Sequence, residues 1–311
     1  MPTHRLIAVW LLLVAPLLAI PVPPVLPRLA LLALHLAAAL VLLRQPAGPV
    51  SLPGGAVVWS RVRDWLPLLA LPVFYWETPL LAEAIHRGAA YDTMVQGWEA
   101  ALFGGQPSLT MAARWPWLWL SELLHGAYLS YYLIGLGPPV VLYLAGRRGA
   151  FRRVVFTAAL AILVHQAAFI AFPVLGPRYL FPAPGGGIET GFLFRTTHWV
   201  LEAASSPGTA FPSSHVGVSL AVTIALFREK VRWAPLIAVL TSLLALSTVY
   251  GGFHYAVDVV AGLASGGLAG LAAPALRRRL RRRQRLDRSG AGTPGPYKEP
   301  LDIPECCNEH G

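Results

Sequence analysis

The chain has 311 residues, of which 55% are hydrophobic and only 13% are charged. Soluble domains carry about 25% charged residues, so this composition excludes an ordinary soluble protein and indicates a polytopic membrane protein. The net charge of +10 is concentrated in an arginine cluster between Arg277 and Arg288. Because the cluster follows an apolar stretch directly, we interpret it as a cytoplasmic anchor for anionic lipid headgroups, not as a nucleic-acid-binding segment.

Apolar stretches recur along the whole chain, and most approach the roughly 20 residues that a helix needs to cross a bilayer. Their approximate bounds are 5–22, 27–44, 64–86, 117–146, 150–173, 213–228, 232–251 and 253–275. The pattern predicts an all-α protein, a polytopic membrane helix bundle with about eight transmembrane helices. A cleaved signal peptide is the alternative for the first stretch, although Ala19–Val22 offers no small-x-small cleavage site.

Basic residues fall in alternate connections between these stretches. They are Arg5, Arg44, Arg61, Arg63, Arg147, Arg148, Arg152, Arg153, Arg228, Lys230 and Arg232. With eight spans, all of them and the arginine cluster lie on one side, which the positive-inside rule makes the cytoplasm. Both termini are then cytoplasmic, and the connections 87–116, 174–212 and 251–252 are extracytoplasmic.

Two short segments place histidines at the beginning of apolar stretches. The first, Phe211–Gly217, contains His215, and the second, Ser247–Asp258, contains His254. An unpartnered imidazole is costly in such a position. Asp258 follows His254 by four residues, so on a helix both lie on one face, and the carboxylate can orient the imidazole.

These residues fit the needs of a phosphoester reaction. Arg178 lies in the same predicted extracytoplasmic layer and can clamp phosphate oxygens. The helix that begins near Ser213 and Ser214 presents free N–H groups to an anion. His254 can be the nucleophile and His215 the acid.

Over residues 60–275 the chain resembles the type 2 phosphatidic acid phosphatase superfamily, whose motifs are K-x6-R-P, P-S-G-H and S-R-x5-H-x3-D. Pro212–His215 matches the second motif and Ser247–Asp258 the third, whereas the first survives only as Gly176–Arg178. Ser214 stands in place of a glycine, and Thr248 in place of an arginine. These departures resemble the branch that contains inositol phosphorylceramide synthase-like and sphingomyelin synthase-like enzymes.

The resemblance implies a role for each matching residue. His254 would become a phosphohistidine, oriented by Asp258. His215 would protonate the leaving group and then deprotonate the incoming water or alcohol. The residues that would hold the phosphate are Arg178, Ser213, Ser214 and Thr248. No metal ion and no other cofactor is implied.

The resemblance also implies a domain plan. Two N-terminal transmembrane helices would occupy residues 1–60, a catalytic membrane domain with a six-helix phosphatase-like core 61–276, and a basic, disordered cytoplasmic tail 277–311. The protein would be a multi-pass enzyme of the cell's inner membrane, with an extracytoplasmic active site and a lipid phosphate as substrate. Water as acceptor makes it a phosphatase, and a lipid or inositol hydroxyl makes it a transferase; both remain open.

Other interpretations compete with these. The same His/Asp cluster can belong to a transporter or a proton relay, although such a pathway predicts charges through the membrane depth and not at one face. Asp92 and Glu99 either anchor an interfacial helix or touch substrate. Glu122 and His125 are expected to form a buried hydrogen-bonded pair. The remaining polar residues of interest are expected to be structural: Arg195 and His198 in a loop, and His165 and Gln166 between helices.

Overall fold

The computed structural model describes residues 1–44 and 55–290. Within these ranges the chain forms twelve α-helices, a 3-10 turn at Ile188–Thr190 and an isolated bridge between Val174 and Thr209, without a β-strand. The helices are α1 (Pro2–Leu18), α2 (Val25–Arg44), α3 (Gly55–His86), α4 (Asp92–Phe103), α5 (Pro107–Arg114), α6 (Leu118–Leu144), α7 (Arg148–Ala171), α8 (Pro177–Leu180), α9 (Phe192–Ala204), α10 (Ser214–Arg228), α11 (Ala234–Tyr250) and α12 (Ala256–Gly290).

The predicted all-α membrane bundle is confirmed. Five helices are long and apolar enough to cross a bilayer: α2, α6, α7, residues 61–86 of α3 and residues 256–283 of α12. Three shorter apolar helices, α1, α10 and α11, occupy the other predicted stretches. The C-terminal region predicted as a tail from residue 277 begins within α12, which continues to Gly290, and its remainder lies outside the described residues.

Helix α10 lies at the centre of the bundle, where it packs against α6, α7, α11 and α12. Glycines make its contact with α12 unusually close, because a Cβ on Gly266 would overlap the backbone of Gly217. A Cβ on Gly262 would come within 2.6 Å of the carbonyl oxygen of Ser213. Small residues allow such backbone approach between membrane helices. The two histidine-bearing segments therefore start side by side.

The two ends of the bundle differ in chemistry. At one end, Nε of Arg152 on α7 donates to Oδ1 of Asp64 on α3 at 2.7 Å, and Arg153 pairs with Glu229 after α10. Arg147 also donates to the backbone carbonyl of Glu229, at 2.6 Å. The basic connections that flank α7 and α10 therefore meet at this end, and the first turns of α10 and α12 lie at the opposite end.

Candidate active site

His215 and His254 are in direct contact. His254 comes just before α12 and His215 lies in the first turn of α10, and their Nε2 and Nδ1 atoms, respectively, are 3.3 Å apart. The ring planes are nearly perpendicular, at 64°. One nitrogen donates to the other, so a proton lies between the two residues that the sequence predicted as nucleophile and acid.

Asp258 is fully buried behind His254. Its Oδ2 lies 3.4 Å from Nδ1 of His254 and accepts the backbone N–H of Tyr255 at 2.9 Å. The second contact is that of a capping box, in which an acidic residue in the first helical turn accepts the N–H of the residue before the helix. The same carboxylate therefore begins α12 and contacts the His254 ring. The two residues meet as expected, but they do not share a helix face, because His254 lies before the helix starts.

Tyr128 holds the other face of the site. Its hydroxyl lies 3.1 Å from Nε2 of His215, and the ring of Tyr131 packs 4.5 Å from the imidazole. Both tyrosines lie on α6 and were missed by the sequence analysis. The sequence pattern that could have identified them is the spacing of Tyr128, Tyr131 and Tyr132. This spacing places three hydroxyl groups on one face of an otherwise apolar helix.

Arg178 faces the same space as the histidines. It lies on the short helix α8, and its Nη1 donates to Oγ of Ser205 at 2.8 Å. Gly176, two residues earlier, has a φ of +92°, and a Cβ there would lie 3.3 Å from the carbonyl oxygen of Phe253. Only glycine combines that φ with so close an approach. The approach packs the Arg178 segment against the residue before His254.

The three predicted phosphate-holding hydroxyls are placed differently. Ser214 lines the cavity beside His215. Ser213 is buried, its N–H donates to the carbonyl of Asp258 at 3.0 Å, and its hydroxyl finds no hydrogen-bond partner among the described residues. Thr248 is also buried, and its hydroxyl donates to the Ala245 carbonyl at 2.8 Å. Of the three, the structure brings only Ser214 to the cavity wall.

The cavity that contains both histidines and Arg178 has a volume of about 320 Å³ and lies between α3, α6, α7 and α10. Away from these two histidines its walls are mostly apolar, formed by Leu68, Leu71, Gly135, Ala158 and Ile162, with His165, Gln166 and Thr209 as polar members. Three further lining residues on α3 and α6 are strongly exposed on the outside of the bundle: Trp76 (63%), Tyr132 (42%) and Leu136 (52%). The cavity therefore opens sideways between α3 and α6.

A second cavity of about 440 Å³ shares only Arg178 with the first, and its walls include Ser108, His198 and Glu202. Nε2 of His198 has no hydrogen-bond partner among the described residues. Burial, followed by the charges of His125 and Arg178, lowers the pKa of His198 to about 4, so its imidazole is neutral at pH 7. Arg178 thus stands between an apolar and a more polar chamber.

Glu122 and His125 do not form the expected pair. Glu122 instead accepts the backbone N–H groups of Leu193, at 2.9 Å, and Phe194, at 3.1 Å, in the first turn of α9. Nδ1 of His125 bonds to the Ser121 carbonyl at 2.7 Å. The prediction of a hydrogen-bonded pair is wrong because free N–H groups at a helix start are stronger partners for a carboxylate than a neutral imidazole.

The remaining polar residues take structural roles. Arg195 donates to the backbone carbonyls of Glu189 and Thr190 in its own loop. His165 lies 3.1 Å from the hydroxyl of Ser265 on α12, and Gln166 accepts from Thr78 on α3. Asp92 and Glu99 are buried and bond to backbone N–H groups, and neither lines a described cavity. Within residues 1–44 and 55–290, no group of three or more His, Cys, Asp or Glu side chains is arranged to hold a metal ion.

Two histidines and an arginine line one cavity of the membrane helix bundle, with an aspartate buried behind one of the histidines, and this arrangement is typical of membrane phosphoesterases. A family model described as the PAP2 superfamily matches residues 95–272, and the chain belongs to that superfamily. The match includes Arg178, His215, His254 and Asp258, whereas α1, α2 and α3 precede it. Comparison with curated proteins finds no match, and comparison with solved structures finds none.

Proposed function

We propose that the protein is an integral membrane lipid phosphatase or phosphotransferase that acts through a phosphohistidine intermediate on His254. The observation that carries the proposal is the contact between His254 and His215, with Asp258 behind the first ring and Arg178 on the same cavity. A nucleophile, the group that orients it, an acid and a phosphate clamp are the parts that phosphoryl transfer through histidine needs.

The reaction follows from these contacts. The phosphoryl group enters beside Arg178 and separates the two imidazoles, and Nε2 of His254 attacks phosphorus. As the P–N bond forms, the P–O bond to the alcohol breaks, and the leaving oxygen takes a proton from Nδ1 of His215. Asp258 accepts the hydrogen bond from Nδ1 of His254 and stabilises its positive charge. His215, now neutral, then removes a proton from the water or alcohol that attacks the phosphohistidine.

The shape of the first cavity supports a lipid substrate. A phosphate beside Arg178 and His215 leaves the attached chain only the apolar space lined by Leu71 and Ile162. The opening between α3 and α6, where Leu136 and Trp76 are exposed, lets such a chain continue into the surrounding bilayer. Burial of a hydrocarbon chain contributes about 0.8 kcal/mol per CH₂, so the apolar walls favour lipid esters over soluble ones.

The positions of the basic residues support an orientation. The end of the bundle that carries Arg147, Arg152 and Arg153 is cytoplasmic by the positive-inside rule, and so are both termini. The site at the other end is then extracytoplasmic, in the cell's inner membrane. The arginine cluster at the end of α12 would bind anionic lipid headgroups at the cytoplasmic surface.

The second cavity bears on the choice between hydrolysis and transfer. It lies beside Arg178 but not beside His215, so it suits a polar group that stays on phosphorus when the lipid alcohol leaves. That arrangement, together with Ser214 and Thr248, favours the inositol phosphorylceramide synthase-like and sphingomyelin synthase-like branch. We accordingly propose residues 61–276 as the catalytic domain, 1–60 as an accessory helix pair and 277–311 as a cytoplasmic tail.

The test uses the purified full chain in detergent micelles. Labelled phosphatidic acid, polyprenyl diphosphate and phosphatidylinositol are offered with and without ceramide or diacylglycerol, and phosphate release is compared with headgroup transfer. His254→Ala should abolish turnover, whereas His86→Ala, a histidine on α3 that does not line the cavity, should retain it. Full activity in His254→Ala would overturn the proposal. Transport across liposomes that requires His254, without ester cleavage, would instead favour the transporter.

A further inference from the structure

Helix α4 carries two buried carboxylates with unusual partners. Asp92 and Glu99 are 6% and 0% exposed, and their seven-residue spacing puts both on one face of the helix. Each is held by backbone N–H groups and hydroxyls instead of a cation, and each reaches residues that are distant in the sequence. The segments they reach are those that carry Arg178 and His254.

Asp92 joins these two segments to each other. Its Oδ2 accepts the N–H of Leu175 at 2.9 Å and its Oδ1 that of Gly176 at 2.8 Å. The same Oδ1 accepts the hydroxyl of Tyr255 at 3.2 Å, one residue after His254. A single carboxylate therefore fixes the backbone that leads into Arg178 and a side chain next to His254.

Glu99 holds the start of α12. Its Oε1 accepts the N–H of Ala256 at 2.8 Å, and its two oxygens also accept the N–H and the hydroxyl of Ser108, at 3.2 Å and 2.9 Å. Ala256 is the first residue of α12, where the N–H groups have no partner within the helix. Glu99 thus fixes the helix start two residues after His254.

We propose that Asp92 and Glu99 are positioning residues, which set the distance and angle between Arg178 and His254. The inference rests on the proposed roles of those two residues. Hydrogen bonds to a buried carboxylate are strong and short, so they hold the backbone more tightly than neutral ones do. A displacement of about 1 Å at a reacting centre costs about 10²-fold in rate, so small movements of these segments matter.

The test compares Asp92→Asn and Glu99→Gln with Glu122→Gln in the full chain. All three replace a carboxylate that accepts backbone N–H groups by an amide of the same shape, but Glu122 is half-buried and serves α9, which carries neither Arg178 nor His254. The measurements are the calorimetric dissociation constants for orthovanadate and for inorganic phosphate. Orthovanadate can adopt the five-coordinate geometry of attacked phosphorus, and a dissociation constant does not depend on how much of the sample is folded.

We expect Asp92→Asn and Glu99→Gln to weaken orthovanadate binding by about 10- to 100-fold and phosphate binding by less than about threefold. Glu122→Gln should change neither constant. Wild-type orthovanadate affinity in the two α4 variants, or an equal loss in Glu122→Gln, would overturn the positioning role. A wild-type protein that binds orthovanadate no better than phosphate would refute the phosphohistidine proposal, and this inference with it.

A smaller change decides the question if Asp92→Asn does not fold. Tyr255→Phe removes the hydroxyl that donates to Asp92 and accepts from Nε2 of Gln96 at 2.9 Å, and it leaves the N–H bonds of Leu175 and Gly176 in place. Loss of the hydrogen bonds to Asp92 and Gln96 should weaken orthovanadate binding by about 3- to 10-fold. An unchanged orthovanadate constant in Tyr255→Phe would count against the link.

Discussion

The two ends of the bundle use carboxylates in opposite ways. At the histidine end, Asp92, Glu99 and Glu122 accept backbone N–H groups, which fixes the course of the chain itself. At the basic end, Asp64 and Glu229 accept arginine side chains that are 38–47% exposed and can move without moving the backbone. The difference suits a molecule in which the backbone is held tightly around the proposed catalytic groups and the basic end contributes mainly to stability.

Removal of the proposed nucleophile, His254, is the strongest test of this contrast. His254→Ala should lower kcat by about 10⁴-fold or more, because no other group can form the covalent intermediate. Acid-labile ³²P on the protein, present in wild type after brief exposure to labelled lipid, should disappear. Label that persists on His254→Ala would assign the intermediate to another residue.

The next effect separates the two histidines. His215→Ala should lower kcat by about 10²- to 10⁴-fold with a natural lipid alcohol as leaving group, since a general acid contributes that much. With a p-nitrophenyl ester, whose leaving group needs no proton, formation of the labelled protein should approach the wild-type rate in rapid-quench measurements. An equal loss with both substrates would show that His215 is not the acid.

A smaller effect is expected at Tyr128. Tyr128→Phe keeps the ring packing but removes the hydroxyl 3.1 Å from Nε2 of His215. The loss of one hydrogen bond should lower kcat by about 3- to 10-fold, with KM nearly unchanged. Tyr143→Phe, on the same helix, is the matched control, because its hydroxyl makes no hydrogen bond within the described residues and Tyr143 lines neither described cavity. The same loss of kcat in both variants would show that the hydrogen bond from Tyr128 to His215 does not contribute to activity.

The smallest effect on activity is expected at the basic end. Asp64→Asn weakens the pair with Arg152 and should lower the free energy of unfolding by about 1–3 kcal/mol, because Asp64 is buried while the arginine is partly in solvent. Assayed well below the unfolding midpoint, its kcat should stay within about twofold of wild type. A large fall in kcat with an unchanged unfolding midpoint would show that the basic end affects activity directly, and would contradict the difference between the two ends.

Much of the fold was predictable because it follows from local patterns. Apolar stretches give helices in a membrane protein, and the short interval between His254 and Asp258 places the two residues in contact, although His254 precedes α12 and is not part of it. The partners of Asp92 were not predictable, because they are backbone N–H groups of Leu175 and Gly176, which carry no side-chain signature. The predicted pair of Glu122 and His125 was wrong for the same reason. The two residues are close in sequence, but the partners of Glu122 are backbone N–H groups of a distant segment.

Helix α12 carries Asp258 in its first turn and Arg277 five turns later, separated by about 29 Å of helix rise. That length is close to the hydrocarbon thickness of a typical bilayer, about 30 Å. Helix α12 is therefore about as long as the membrane is thick, with the arginines proposed to bind headgroups towards one end and the proposed nucleophile, His254, at the other. In a thinner or thicker bilayer the helix must tilt or the lipid must adjust. The depth of His254 relative to the lipid phosphates is therefore expected to depend on membrane thickness.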